Sequence, residues 1–139
     1  MKILLYNSSA RGMGHFKRSI KISNILTKYF ENYEVLVVVG NAFNLIEKYS
    51  DRVEFIKLPQ VFKNESNLYE SSYMNLDALW KIRKTIISQV IDNYSPDILM
   101  VDSFPRGVNG ELIESLRLIK QNSNIKTCLL YTSDAADEL

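Results

Sequence analysis

At 139 residues, with 46% hydrophobic and 24% charged side chains, the chain has the composition of one soluble globular domain and is too short for two of usual size. A formal charge of +1 argues against nucleic acid or another polyanion as partner, and the single cysteine, Cys128, excludes an internal disulfide and any multi-cysteine metal site, so no metal is expected. No run approaches a membrane span, and Lys2 leads straight into an apolar segment without the features of a secretory signal; a cytoplasmic location is expected, with peripheral membrane association left open.

The first thirty residues read as strand, glycine loop and helix. Ile3, Leu4 and Leu5 are continuous, as in a strand buried on both faces of a parallel sheet. The loop from Asn7 to His15 contains Gly12 and Gly14. Phe16, Ile22, Ile25, Leu26, Tyr29 and Phe30 then recur at helical spacing, leaving Lys17, Arg18, Lys21 and Lys28 for the solvent side. Glycines before a helix start let backbone N–H groups approach an anion, and phosphate is the natural candidate; a tight turn would use the same residues. The dinucleotide fingerprint needs a third glycine, and Gly12-Met13-Gly14 is followed by His15, Phe16 and Lys17, so no nicotinamide cofactor is expected.

Glu34 to Gly40 is β-branched and apolar and reads as a second buried strand. Asn41 can cap a short helix carrying Phe43, Leu45, Ile46 and Tyr49, to about Ser50. Val53 to Leu58 alternates like a strand nearer the sheet edge and stops before Pro59. The pattern is lost from Gln60 to Met74, which reads as a long polar loop holding Tyr69 and Tyr73. Asn75 to Asn93 is a helix of about five turns with Trp80 on its apolar stripe. Pro96 to Asp102 is a fourth buried strand, Gly107 and Gly110 frame a loop, Leu112 to Ile119 is helical, and Ile125 begins a fifth strand. Strands alternating with helices imply an α/β fold, a Rossmann-like parallel sheet flanked by helices, with strand order 3-2-1-4-5.

Gly12-Met13-Gly14-His15-Phe16-Lys17-Arg18 after a short strand, together with Asp102-Ser103-Phe104-Pro105, resembles a bacterial group of predicted glycosyltransferases of the GT-B architecture, which opens with Gly-x-Gly-His-x-x-Arg. The resemblance spans roughly Met1 to Thr127, and it implies a truncated amino-terminal, acceptor-side domain without its donor-binding half. It also implies a nucleotide sugar as donor substrate, an acceptor hydroxyl, and no other cofactor. By the same resemblance His15 and Asp102 form a catalytic dyad in which the histidine takes the acceptor proton. Gly12, Met13, Gly14, Arg18, Tyr69, Tyr73, Phe104 and Arg106 become candidate substrate contacts. In the proposed strand order the carboxyl ends of the first and fourth strands are neighbours, which would bring His15 to Asp102. A carboxylate beside an imidazole can orient it and stabilise its protonated form.

Two other readings use the same residues. One is a nucleotide-sugar hydrolase or epimerase of this architecture, acting on water with the same histidine; the other is a non-catalytic Rossmann-like binding module. From Cys128 to Glu138 the order resembles a translated sequencing adapter, so residues 128–139 are expected to be a non-native tail. Without them, seventeen basic residues stand against thirteen acidic ones and the formal charge is +4.

Overall fold

The computed structural model describes residues 1–8, 14–40 and 49–130. In these, strand β1 (Lys2–Asn7) leads to helix α1 (Gly14–Tyr29), and β2 (Glu34–Val39) and β3 (Val53–Lys57) follow. A hairpin of β4 (Phe62–Lys63) and β5 (Tyr69–Glu70) precedes α2 (Leu76–Tyr94), then β6 (Ile98–Asp102), α3 (Ile113–Asn122) and β7 (Lys126–Leu130). The five longer strands form one parallel sheet ordered β3-β2-β1-β6-β7, which is the order expected from sequence.

The pleat of β1 divides the core. Ile3 and Leu5 point to one face, with Val35, Val37 and Val39 of β2, and meet Phe16 and Ile20 of α1. Leu4 and Tyr6 point to the other, with Leu99 and Val101 of β6, and meet Ile87 and Ile91 of α2 and Ile119 of α3. Helices on both faces explain why β1 and β2 are apolar at successive positions. Each fully buried Val, Leu or Ile contributes roughly 1.5–3 kcal/mol. The Asn75 side chain accepts from the Ala78 N–H at 3.2 Å to cap α2, and Ser95, at φ 49°, ends it by donating its N–H to the Ile91 carbonyl.

Three sequence expectations change. In α1 the inward face is Phe16, Ser19, Ile20, Ser23 and Thr27, while Ile25, Tyr29 and Phe30 are exposed. The buried hydroxyls are satisfied locally: Ser23 Oγ donates to the Ser19 carbonyl at 2.8 Å and Thr27 Oγ1 to the Ser23 carbonyl at 2.9 Å. Small side chains that satisfy themselves in this way can pack a helix close to a sheet, and a hydrophobic periodicity does not register them. The polar stretch before α2 contains the β4–β5 hairpin, whose turn includes Asn67 at φ 63°. Trp80 is only half-buried, in a satellite cluster with Tyr69 and Phe104 around Val61, Leu79 and Val108. The fifth strand runs on past Thr127: Met100, Val101 and Asp102 pair with Cys128, Leu129 and Leu130. The helix expected from Asn41 lies, except for Tyr49 and Ser50, outside the described residues, as does the chain beyond Leu130.

Candidate active site

The site stands where β1 and β6, paired up to Tyr6 and Val101, reach their carboxyl ends. Asn7, the last residue of β1, donates from Nδ2 to the His15 carbonyl at 2.7 Å and also bonds Ser19 Oγ, which fixes the first turn of α1 against the strand end. His15, Arg18 and Ser19 lie three and four residues apart and so share one face of that turn. All three face Asp102.

The Asp102 side chain is fully buried. An isolated carboxylate could not be held there without pairing, and each oxygen is satisfied. Oδ1 receives the Arg18 guanidinium and the Ser103 hydroxyl, the latter at 3.0 Å, while Ser19 Oγ donates to Oδ2 at 3.3 Å. His15 Nδ1 lies 3.4 Å from Oδ1 and 2.8 Å from Ser103 Oγ. The His15 side chain keeps 31% of its surface exposed, so a hydroxyl-bearing molecule could reach the imidazole while Asp102 stays dry behind it. The expected approach of His15 to Asp102 is therefore found, with Ser103 and Arg18 added.

Arg18 leaves the solvent side on which periodicity put it and faces the site in which the resemblance put it. Its guanidinium turns onto Asp102 and lies 3.3 Å from His15 Nδ1, and its Nε is buried with no hydrogen-bond partner among the described residues. Ser103 was not singled out by the sequence. Its one structural signal is φ 74°, a left-handed backbone that serine rarely adopts.

A second polar group lies on the other face of the same strand end. Arg83 of α2 and Glu111 are both buried and joined twice, Nε to Oε2 and Nη2 to Oε1, each at 2.7 Å. Arg83 also donates to Ser8 Oγ at 2.7 Å and to the Pro59 carbonyl at 2.6 Å. The Tyr6 hydroxyl donates to Glu111 and accepts the Val108 N–H at 2.9 Å. One guanidinium thus ties together the chain leaving β1, the chain leaving β3 and the turn before α3. Burial opposes the Arg83 charge, but hydrogen bonding and attraction from Glu111 outweigh it and raise its pKa. Burial, followed by the charge of Glu111, pushes the Tyr6 phenol well above its usual value. Periodicity could not reveal this group, since Arg83 occupies a core position on an apolar helix face.

The remaining expected contacts are dispersed. Gly12 and Met13 lie outside the described residues. Gly14 begins α1, and a Cβ there would touch no described atom within 4 Å, so the helix start is open on that side. Tyr69 packs edge-on to Trp80, with centroids 5.4 Å apart, and Lys63 Nζ lies 5.0 Å from its ring centroid. Tyr73 is 92% exposed. Phe104 packs into the satellite cluster with Tyr69, and Arg106 is exposed, its carbonyl accepting the Leu112 N–H at 3.0 Å. Among the described residues no group of three or more His, Cys, Asp or Glu could hold a metal ion, and no helix is long and apolar enough to cross a membrane.

No protein-family model matches the chain and no curated protein matches it. Solved structures do. UGT2 of Phytolacca americana, complexed with UDP-2fluoro-glucose and pterostilbene, matches 91% of this chain with a TM-score of 0.56 at 16% identity, the match covering 30% of that protein. The same protein in its apo form matches 93% of the chain with a TM-score of 0.55 at 14% identity, again over 30% of its own length. A UGT transferase from Siraitia grosvenorii in complex with UDP matches 91% of the chain with a TM-score of 0.52 at 17% identity, over 24% of its length. The chain thus spans less than a third of each of these proteins, and the likeness establishes that its α/β fold is the one found in that part of these transferases.

Proposed function

We propose that the chain is the acceptor-side domain of a glycosyltransferase that moves a sugar from a nucleotide-activated donor to a hydroxyl of an acceptor. The observation that carries the reading is the meeting of an accessible His15 with a buried Asp102 at the carboxyl edge of the sheet, in a fold shared with UDP-handling transferases. In this reading His15 takes the proton of the acceptor hydroxyl as its oxygen bonds the anomeric carbon. The bond from that carbon to the donor phosphate breaks, and the nucleotide leaves with the electron pair. Asp102 holds the imidazole and balances the positive charge that forms on it.

The start of α1 at Gly14, with Gly12 and Met13 before it, suits an anionic group of a substrate. Arg18 serves a phosphate or an acidic acceptor through the same guanidinium that holds Asp102. Tyr69, Tyr73, Phe104 and Arg106 are assigned to the acceptor side, and donor binding to a further domain. No cofactor or metal enters this reading, and its compartment is the cytoplasm.

The test is a kinetic comparison in the enzyme that joins this domain to a donor-binding half. His15→Ala is expected to lower kcat by about a hundredfold to ten-thousandfold, the usual share of general base catalysis. Transfer at the unaltered rate would refute the reading.

A further inference from the structure

We propose that Asn7 and Ser19 are positioning residues that seat the Asp102 carboxylate against His15. Their functional consequence rests on the reading of His15 as the proton acceptor; the relay itself rests on hydrogen-bond geometry. Helix α1 carries three buried hydroxyls in line, at Ser19, Ser23 and Thr27. Ser23 and Thr27 each return the proton to the carbonyl one turn back along the helix. Ser19 does otherwise. The carbonyl one turn before it, that of His15, accepts from Asn7 Nδ2 at 2.7 Å, and the same nitrogen bonds Ser19 Oγ.

A carboxamide nitrogen only donates, and it has one hydrogen for each of these two acceptors. Ser19 Oγ therefore meets Asn7 with a lone pair and keeps its own proton for Asp102 Oδ2, which lies 3.3 Å away and can only accept. Arg18, the Ser103 hydroxyl and His15 Nδ1 all gather at Oδ1, so among the described residues Ser19 is the donor that holds the opposite oxygen. Asn7, Ser19 and Asp102 are all buried, which keeps water from competing for these bonds. The end of β1 thus fixes both partners at once, His15 through its main chain and the Asp102 carboxylate through Ser19.

His15 is the only histidine in the chain, so its imidazole proton and carbon signals can be followed without ambiguity in NMR spectra. Asn7→Ala and Ser19→Ala should each move these signals, and the double variant should move them no further than the larger single change, because the two residues act in one relay. Ser23→Ala deletes the same atom one turn on, where the hydroxyl bonds its own helix, and should leave them in place. In the enzyme joined to its donor-binding half, Ser19→Ala should lower kcat roughly tenfold with KM unaltered, the worth of one hydrogen bond to a charged group. Ser19→Ala carries the test even where Asn7→Ala folds poorly, since alanine is the residue that helices accept best. Unmoved imidazole signals in Ser19→Ala, equal movement in Ser23→Ala, or an unaltered kcat in Ser19→Ala where His15→Ala is inactive would overturn the proposal. The spectra do not depend on turnover: a fully active His15→Ala enzyme would remove the transfer reading and leave the seating of Asp102 standing.

Discussion

Arg83 and Glu111 form a doubly hydrogen-bonded ion pair with no exposed side-chain surface on either partner, 28 residues apart in sequence and at the hub of three loops beside the candidate site. Burying two charges is costly, so the worth of such a pair shows when one half is removed and the other is stranded.

Arg83→Met is therefore expected to destabilise the fold by about 3–5 kcal/mol, because the buried Glu111 carboxylate loses its counter-charge and the donor to Oε2, and Ser8 Oγ loses the Arg83 donor. The double variant Arg83→Met with Glu111→Leu should recover most of that loss. Urea unfolding of the three proteins measures both effects. A single variant within about 1 kcal/mol of the parent would show that the pair does not hold the loops.

Gly107 sits at φ 74°, and a Cβ there would stand 2.7 Å from Leu112 Cγ and 3.1 Å from the Tyr6 hydroxyl. Backbone strain and crowding act together, so Gly107→Ala should cost about 1–3 kcal/mol in thermal or denaturant unfolding. Gly40→Ala should also destabilise, since its Cβ would collide with the Ser8 side chain that Arg83 holds. Full stability in both variants would mean that the turns around Tyr6 and Ser8 can relax at little cost.

Tyr6 and Tyr94 each have a phenol pKa raised above 10.0, mainly by burial, with the Glu111 charge adding at Tyr6 and the Glu34 charge at Tyr94. The folded chain therefore binds these protons more tightly than the unfolded chain does. Their contribution is complete below about pH 10 and is lost as the pH rises beyond it, because unfolding then releases protons. Stability measured by denaturant midpoint should decline above about pH 10, with Tyr6 contributing more than the part-exposed Tyr94. A Tyr6→Phe variant should show a shallower decline from a lower starting stability, having stranded the Val108 N–H and left Glu111 Oε1 with Arg83 alone. An identical alkaline slope in that variant would remove Tyr6 from the account.

Under the proposed function, the chain by itself should bind nucleotide sugars weakly, with Kd near or above about 1 mM. The argument is that donor contacts belong to a further domain and that the cleft forms between the two. Titration calorimetry with a panel of nucleotide sugars measures this directly. Micromolar binding would locate a nucleotide site within the chain itself and would favour a single-domain binder.

The five parallel strands and their order were legible from the residues alone. Ile3 to Leu5 and Val35 to Val39 are apolar at every position, which only a strand covered on both faces tolerates, and the alternation of strands with helices then leaves few topologies. The approach of His15 to Asp102 was legible because Asp102 closes β6, His15 opens the helix that follows β1, and the strand order sets the ends of β1 and β6 side by side. Periodicity alone left Arg18 to solvent, because it sorts lysine and arginine outward, whereas a buried carboxylate supplied by a strand 84 residues away draws this one inward.

What tertiary structure decided is the polar company of those two residues. Ser103 adjoins Asp102 in sequence, yet its use depends on a left-handed turn that points its hydroxyl at an imidazole 88 residues away. Arg83 and Glu111 look like surface charges until α2 and the turn before α3 close over Tyr6. Periodicity reports which face of an element is apolar, since burial rewards every position on that face alike. A hydrogen bond rewards only two atoms at one distance and angle, and the chain reaches that geometry once the sheet has fixed where its strands end.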